Sequence, residues 1–411
     1  MKCGLVLSGG GAKGAYEAGC IKALKELGYE FDIVTGTSIG ALNGLLMAQH
    51  DYDKLYHLWD TLSLDQVLTD PIQFDFSIES MLQQSNLMMS FFKSYINKKG
   101  ADITPLKNLI HSLYDGKKAK NSSTKYGLVT VTFPQLKPIE ITVDQMNDTN
   151  IVEYAIASAS CFPAFPIHEI DQQGYIDGGY FDNLPISLAL DMEAKSIIAI
   201  ELNQEATHEY LLHRPGIKVI RPSLPLGGFL DFDRTLLDFR ICLGYYDTLK
   251  AFNKLKGYRY TFKNEKVPQD ICQTFYHKVL NYENQLNHTI LNRAIGNDSI
   301  PLTQLLKADT YLDQIQLDDY FILGLEITMD YLSYQHDTIY EFDNVIQEVK
   351  KHFKINEDDR LLFKQLGQNL KDLTSKQSLS YFLSNPDNLP NIIPSLFTKE
   401  FLIALFVQSL Y

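Results

Sequence analysis

The sequence predicts an α/β fold with a mostly parallel central sheet, followed by a mainly α-helical C-terminal region. Three observations predict it. Strand-like and helix-like segments alternate over the first 50 residues, as in sheets whose parallel strands are joined by crossover helices. Runs rich in β-branched residues return at 127–133, 139–143, 197–202 and 217–220. After about Phe232 no strand is evident, and helical stripes take over. A soft boundary near residue 260 separates a core at 1–260, whose stretch 60–123 is variable, from a helical region at 261–411.

In chain order, Leu5-Val6-Leu7 is a short apolar strand running into Ser8-Gly9-Gly10-Gly11. A helix follows from about Ala12 to Leu27, with Tyr16, Cys20, Ala23, Leu24 and Leu27 at helical spacing and Gly28 as its stop signal. Phe31 to Val34 reads as the second strand and Ile39 to Met47 as the second helix. Between Asp60 and Ser123 the pattern loosens. There Leu87, Met88, Phe91, Phe92, Tyr95 and Ile96 form an apolar stripe, read as a core-facing helix or as a lid over an apolar site. A helix at about Asn150 to Ser158 leads into the Pro- and Phe-rich turn Cys161 to Pro166. Far downstream, Phe342, Val345, Ile346, Val349 and Phe353 make an amphipathic stripe, and Pro and Asn cluster at 385–394. The run Phe401 to Val407 is too short to cross a membrane and is left open between core and membrane surface.

Composition excludes several classes. The 411-residue chain is 45% hydrophobic and carries a formal net charge of -13, so sequence-independent nucleic-acid binding, which needs a basic face, is not expected. The five cysteines (Cys3, Cys20, Cys161, Cys242, Cys272) are odd in number and show no CxxC spacing, which reads as reduced thiols rather than a disulfide framework or zinc site. The N-terminus lacks the apolar region of a signal peptide, and no stretch approaches the roughly 18 apolar residues of a membrane span. The expected compartment is the cytoplasm, with peripheral contact to a membrane.

Three constellations carry chemistry. Gly9-Gly10-Gly11-Ala12-Lys13-Gly14 lies between a strand and a helix, where successive backbone N–H groups can converge on an anion or a developing oxyanion. The same letters satisfy G-x-G-x-x-G, but a dinucleotide site needs an acid at the end of the second strand, and Glu30 and Asp32 stand at or before its start. Gly36-Thr37-Ser38-Ile39-Gly40 is a G-x-S-x-G pattern between a strand and a helix, the setting of a nucleophile elbow; a helix N-cap serine is the plainer alternative. Asp177-Gly178-Gly179, after Tyr175-Ile176, is either an ordinary Asp-Gly turn or a carboxylate standing at a strand end. None of the ten histidines sits in an obvious strand-end motif, and His168 reads as a surface or loop residue. A Ser-Asp dyad is therefore the economical mechanism.

In this order and setting, the motifs resemble the patatin-like phospholipases. Ala157-Ser158-Ala159-Ser160 and Phe162-Pro163-Ala164-Phe165-Pro166 are similar to the segment before that family's aspartate, and Asp182-Asn183-Leu184-Pro185 is similar to the segment after it. The resemblance covers roughly residues 3 to 205. It implies a three-layer α/β/α sandwich and hydrolysis of fatty-acyl esters such as phospholipids. It implies Ser38 as nucleophile, Asp177 as base, and an oxyanion hole at Gly9, Gly10 and Gly11 with Lys13 and Gly14. Gly36 and Gly40 flank the elbow, and Gly178 and Gly179 complete the aspartate motif, where many members carry Ala at the second position. No metal or cofactor is expected. The expected partners are a fatty-acyl ester and, transiently, a membrane surface. Other readings remain open here: a transacylase on the same dyad, a nucleotide-binding oxidoreductase built on the glycine loop, or a non-catalytic lipid-binding protein.

Overall fold

The computed structural model describes residues 2–69, 102–211, 214–287, 302–307, 310, 314–353, 375–384 and 397–411. The apolar stripe Leu87 to Ile96 and the Pro/Asn cluster at 385–394 lie outside the described residues. The chain divides into two compact units, 1–251 and 252–411. Residues around 260, where the sequence suggested a boundary, belong to a small sheet of the second unit.

The first unit runs β1 (Cys3–Leu7), α1 (Gly14–Glu26), β2 (Ile33–Thr37), α2 (Ile39–Ala48), α3 (Tyr52–Thr61), α4 (Thr104–Leu113), α5 (Gly116–Lys120), β3 (Lys125–Phe133), β4 (Pro138–Thr142), α6 (Asn150–Ser158), β5 (His168–Ile170), β6 (Gln173–Asp177), α7 (Ile186–Asp191), β7 (Ser196–Ile200), β8 (Ile217–Ile220) and α8 (Arg234–Ala251). The sheet order is β5-β6-β3-β2-β1-β7-β8, with β4 also on β3. The pairs β3/β2, β2/β1, β1/β7 and β7/β8 are parallel; β4, β5 and β6 add antiparallel pairs on one side.

Alternation along the strands makes this a three-layer sandwich. Leu7, Val34 and Tyr126 face α2, where they surround Gly44. Val6, Ile33, Ala199 and Ile197 point the other way, into a core with Ile186 and Ala189 of α7. β2 is buried throughout, as a strand covered on both faces must be. Outside α2, α1 packs on α8; the Tyr16 hydroxyl donates to Asp247 (3.1 Å) and the Cys20 thiol to the Gly244 carbonyl (3.3 Å).

Several elements differ from expectation. β2 continues through Thr35-Gly36-Thr37, because parallel pairing with Val6–Leu7 and Gly127–Val129 carries Gly36, whose intrinsic strand preference is weak, within the ladder. α1 begins at Gly14, after a 3-10 turn over Gly11–Lys13. His168 is not a surface loop residue. It lies in β5, is buried, and bonds Glu153 (2.8 Å), which its isolated letter context did not reveal.

The second unit is mainly helical: α9 (Gln269–Asn287), α10 (Leu302–Lys307), α11 (Leu317–Tyr331), α12 (Phe342–His352), α13 (Ser375–Ser384) and α14 (Thr398–Ser409). The absence of strands expected after Phe232 does not hold. β9 (Leu255–Lys256), β10 (Thr261–Lys263) and β11 (Ile339–Tyr340) form a three-stranded sheet. Strands of two or three residues are too short to show a two-residue alternation, and β10 finds its parallel partner at Ile339 only after folding. Phe342, Val345, Ile346, Val349 and Phe353 are buried as their spacing predicts. The run Phe401 to Val407 belongs to this core: all seven residues are buried, with Phe406 edge-on to Phe275 at 5.3 Å between ring centroids.

Candidate active site

The site is built where two strands end against each other. Thr37, the last residue of β2, pairs with Val129 of β3 in parallel. Asp177, the last residue of β6, pairs antiparallel with the next residue, Thr130. β4 pairs with β3 from Gly127 to Val131 and so occupies β3's opposite edge beside both of these positions. β2 and β6 therefore share one edge of β3 and meet there head to head. Ser38 and Asp177, far apart in sequence, are brought together by this register.

Ser38 sits on a sharp turn with φ 55 and ψ −123, a conformation that is rare for a residue with a side chain and places its hydroxyl above the sheet. Both flanking glycines are required. A methyl group at Gly36 would come within 2.3 Å of the Gly40 carbonyl oxygen, and one at Gly40 within 2.5 Å of the Leu7 carbonyl oxygen. The Ser38 side chain makes no capping bond to α2. Ser38 thus takes the N-cap position without using its side chain there, which leaves a half-buried hydroxyl at the helix's positive end.

The Asp177 carboxylate lies near enough to that side chain for Ser38 to lower its pKa. Asp177 is 5% exposed and accepts the Gly179 N–H (2.8 Å). Burial pushes its pKa up to about 6, against the lowering influence of nearby Ser38 and of the Gly179 N–H. A carboxyl group poised there can accept a proton near neutral pH, which an ordinary aspartate does poorly. Among the described hydrogen bonds none joins a histidine to Ser38 or Asp177. His168 serves Glu153, and His208 bonds Asp182 (3.1 Å).

The glycine loop abuts the elbow: a methyl group on Gly9 would lie 3.1 Å from the Ser38 Cβ. Most of its N–H groups are already committed. Gly9 donates to the Asn183 carbonyl (3.0 Å), Ala12 to the Phe229 carbonyl (2.7 Å), Lys13 to the Gly10 carbonyl (3.2 Å), and Gly14 to carbonyls within the turn. Among the described residues no acceptor meets the N–H groups of Gly10 and Gly11. Of the five residues read from the sequence, Gly10 and Gly11 are the ones whose N–H groups meet no acceptor among the described residues. Gly11 has φ 57, and a methyl group there would strike the Phe229 carbonyl oxygen at 2.4 Å.

Supporting roles escaped the sequence reading, even at Asn183 and Thr37, which stand inside its motifs. Asn183 clasps the loop from both sides, its Nδ2 donating to the Gly9 carbonyl (3.1 Å) while its own carbonyl accepts from Gly9. The Thr37 hydroxyl donates to the Asp182 carbonyl (2.8 Å), tying β2 to the same segment. Trp59 Nε1 donates to Asn43 (2.9 Å), and Asn43 donates to Glu17 (2.8 Å) and to the Gly14 carbonyl (3.2 Å), a buried polar chain beneath the loop. Burial raises the Glu17 carboxyl well above its usual range. The dinucleotide reading loses its ribose partner. Asp32 lies at the far end of β2, where its carboxylate accepts the Cys3 N–H (2.7 Å).

A strained serine on a strand-to-helix turn, a buried strand-end carboxylate and open peptide donors are the parts that an acyl-transfer site requires. Residues 5–190 match the family model described as Patatin-like phospholipase. Over 210 residues the chain is 30% identical to "Patatin-like phospholipase domain-containing protein 6" of Mus musculus, an alignment covering 49% of this chain and 13% of the relative. It is 28% identical over 222 residues to "Lysophospholipase NTE1" of Mycosarcoma maydis, covering 49% of this chain and 10% of that protein. The chain thus spans a small fraction of the length of these curated relatives. Among solved structures, VipD from Legionella pneumophila aligns with a TM-score of 0.42 and 13% identity, over 100% of this chain and 91% of the other.

Proposed function

We propose that the protein hydrolyses fatty-acyl esters of the phospholipid or lysophospholipid class through a Ser38-Asp177 dyad. The observation that carries this reading is the strained serine turn that the β3 register sets beside the buried Asp177, whose carboxyl is pushed up to about 6 by burial. Asp177 takes the hydroxyl proton as Ser38 Oγ attacks the ester carbonyl carbon. The resulting oxyanion accepts from the N–H groups of Gly10 and Gly11 at the positive end of α2. Collapse breaks the ester bond, and Asp177 returns the proton to the departing alcohol. Water then attacks the acyl-enzyme, again losing its proton to Asp177, and the fatty acid leaves with Ser38 restored. The names of the relatives support a lipid ester as substrate. A substrate of this kind resides in a bilayer or micelle, so transient contact with a lipid surface belongs to the proposal. Among the described residues no helix is long and apolar enough to cross a membrane.

The test is turnover of a chromogenic short-chain ester and of lysophospholipid by Ser38→Ala and Asp177→Asn. Each is expected to fall at least about 10³-fold in kcat, as loss of a nucleophile or its base does. A fluorophosphonate probe should label the wild type and not Ser38→Ala. Near wild-type turnover by either variant sinks the dyad.

A further inference from the structure

The segment that links α6 to the Pro-rich turn touches both halves of the dyad. The Ser38 N–H donates to Ser158 Oγ (2.9 Å), and the Ser158 hydroxyl donates in turn to the Val129 carbonyl (2.6 Å). Two residues on, the Ser160 carbonyl accepts the Asp177 N–H (2.9 Å). We infer that Ser158 is a positioning residue for the Ser38–Asp177 pair, its hydroxyl holding the Ser38 peptide while the segment it begins holds the Asp177 peptide. The inference rests on the reading of these two residues as the reacting pair.

The geometry is specific to this role. Ser158 has one hydroxyl proton and donates it to Val129, so it turns an oxygen lone pair toward Ser38. Val129 is the β3 residue that pairs with Thr37, and its neighbour Thr130 pairs with Asp177. Segment 158–160 therefore bridges the junction at which the two strand ends meet, and β3 and this segment together set their separation. Ser160, by contrast, donates its side chain back to the Ile156 carbonyl (2.8 Å), an ordinary bond within a helix end. The Ser158 hydroxyl makes no such local bond among those described; both of its partners are on other elements. It is fully buried, so water does not stand in for it. Ser38, at positive φ, has its carbonyl engaged by the first turn of α2 (Ala41 N–H at 2.9 Å, Leu42 N–H at 3.2 Å), while its N–H has Ser158 as its described acceptor and loses it without that hydroxyl.

The experiment compares wild type, Ser158→Ala, Ser158→Cys and Ser38→Ala across pH on the chromogenic ester, with thermal midpoints measured alongside. In Ser158→Ala, kcat is expected to fall about 10- to 100-fold, the scale of a small misplacement of reacting groups, with KM within about twofold. The acid limb of kcat/KM should also move to higher pH, because the Ser38 contact that lowers the Asp177 pKa is loosened. A purely structural role would not move that limb. Ser158→Cys keeps the volume but lacks a strong acceptor, so the same effects are expected there, and it carries the test if the alanine variant does not fold. Wild-type kcat and an unmoved acid limb in a folded Ser158 variant, with Ser38→Ala inactive, overturn the inference and leave the dyad standing. Turnover by Ser38→Ala overturns both.

Discussion

Asp177 pays in stability for what it offers in chemistry. Its pKa in the fold is about 6 against an ordinary value of 3.8, so the fold favours the protonated carboxyl. The stabilisation linked to that proton is complete below about pH 4 and is lost as pH rises through about 6. At one pKa unit per 1.36 kcal/mol, the cost of ionising this group at pH 8 is about 3 kcal/mol. Asp177→Asn, which cannot ionise, should therefore raise the denaturation midpoint relative to wild type at pH 8 and much less at pH 4, while abolishing turnover. Urea titrations at the two pH values measure this; an equal effect at both would mean that the carboxyl is not held out of water. The same pKa predicts that wild-type kcat/KM rises about tenfold per pH unit below about pH 6 and flattens above it.

At the scale of elements, the loop 226–231 seats the glycine nest from outside the segment matched by the family model. The Phe229 carbonyl accepts the Ala12 N–H, and the loop is held by Arg240 of α8. Arg240 is fully buried and donates to the carbonyls of Leu226 (2.7 Å), Asp231 (2.8 Å) and Gly228 (3.0 Å). Burial lowers its pKa to about 10, so it stays charged at neutral pH. Arg240→Ala leaves three carbonyls without this donor and should cost at least about 4 kcal/mol, given ~1.5–3 kcal/mol for each hydrogen bond to a charged group. Arg240→Lys keeps the charge but not the planar fork and should recover only part of it. Denaturant unfolding reads the stability, and fluorophosphonate labelling rates read the loosened nest. Nothing local to Arg240 in the sequence signals this role, since its acceptors are bare carbonyls reached by a loop.

At the scale of the molecule, each unit has its own core. In the second, Phe275, Phe321, Phe342, Phe382, Phe401 and Phe406 are all buried within 2% exposure, and Gly324 of α11 lets the Phe406 ring approach. Phe406→Ala should destabilise this unit by about 3–5 kcal/mol, read as a lowered transition in calorimetry. An unchanged transition would return Phe401 to Val407 to the membrane-surface reading. The helices of this unit were legible where the apolar stripe was regular, as from Phe342 to Phe353, and its three short strands were not, because their pairing is long-range.

The amino-acid sequence by itself determined the local parts of the site. The elbow around Ser38 and the glycine nest are demands of backbone geometry within a few residues, and small residues at Gly36, Gly40 and Gly11 satisfy them wherever the chain goes. Asp177 was named from the sequence only through a resemblance; the tertiary structure alone decided what lies beside it, which peptide N–H groups remain open, and what ties the two strand ends together. These depend on β2 and β6 ending on one edge of β3, on Asn183 and Phe229 consuming neighbouring donors and acceptors, and on Ser158 reaching across the junction. Strand register is set by burial and pairing between distant segments, and local periodicity carries no record of it.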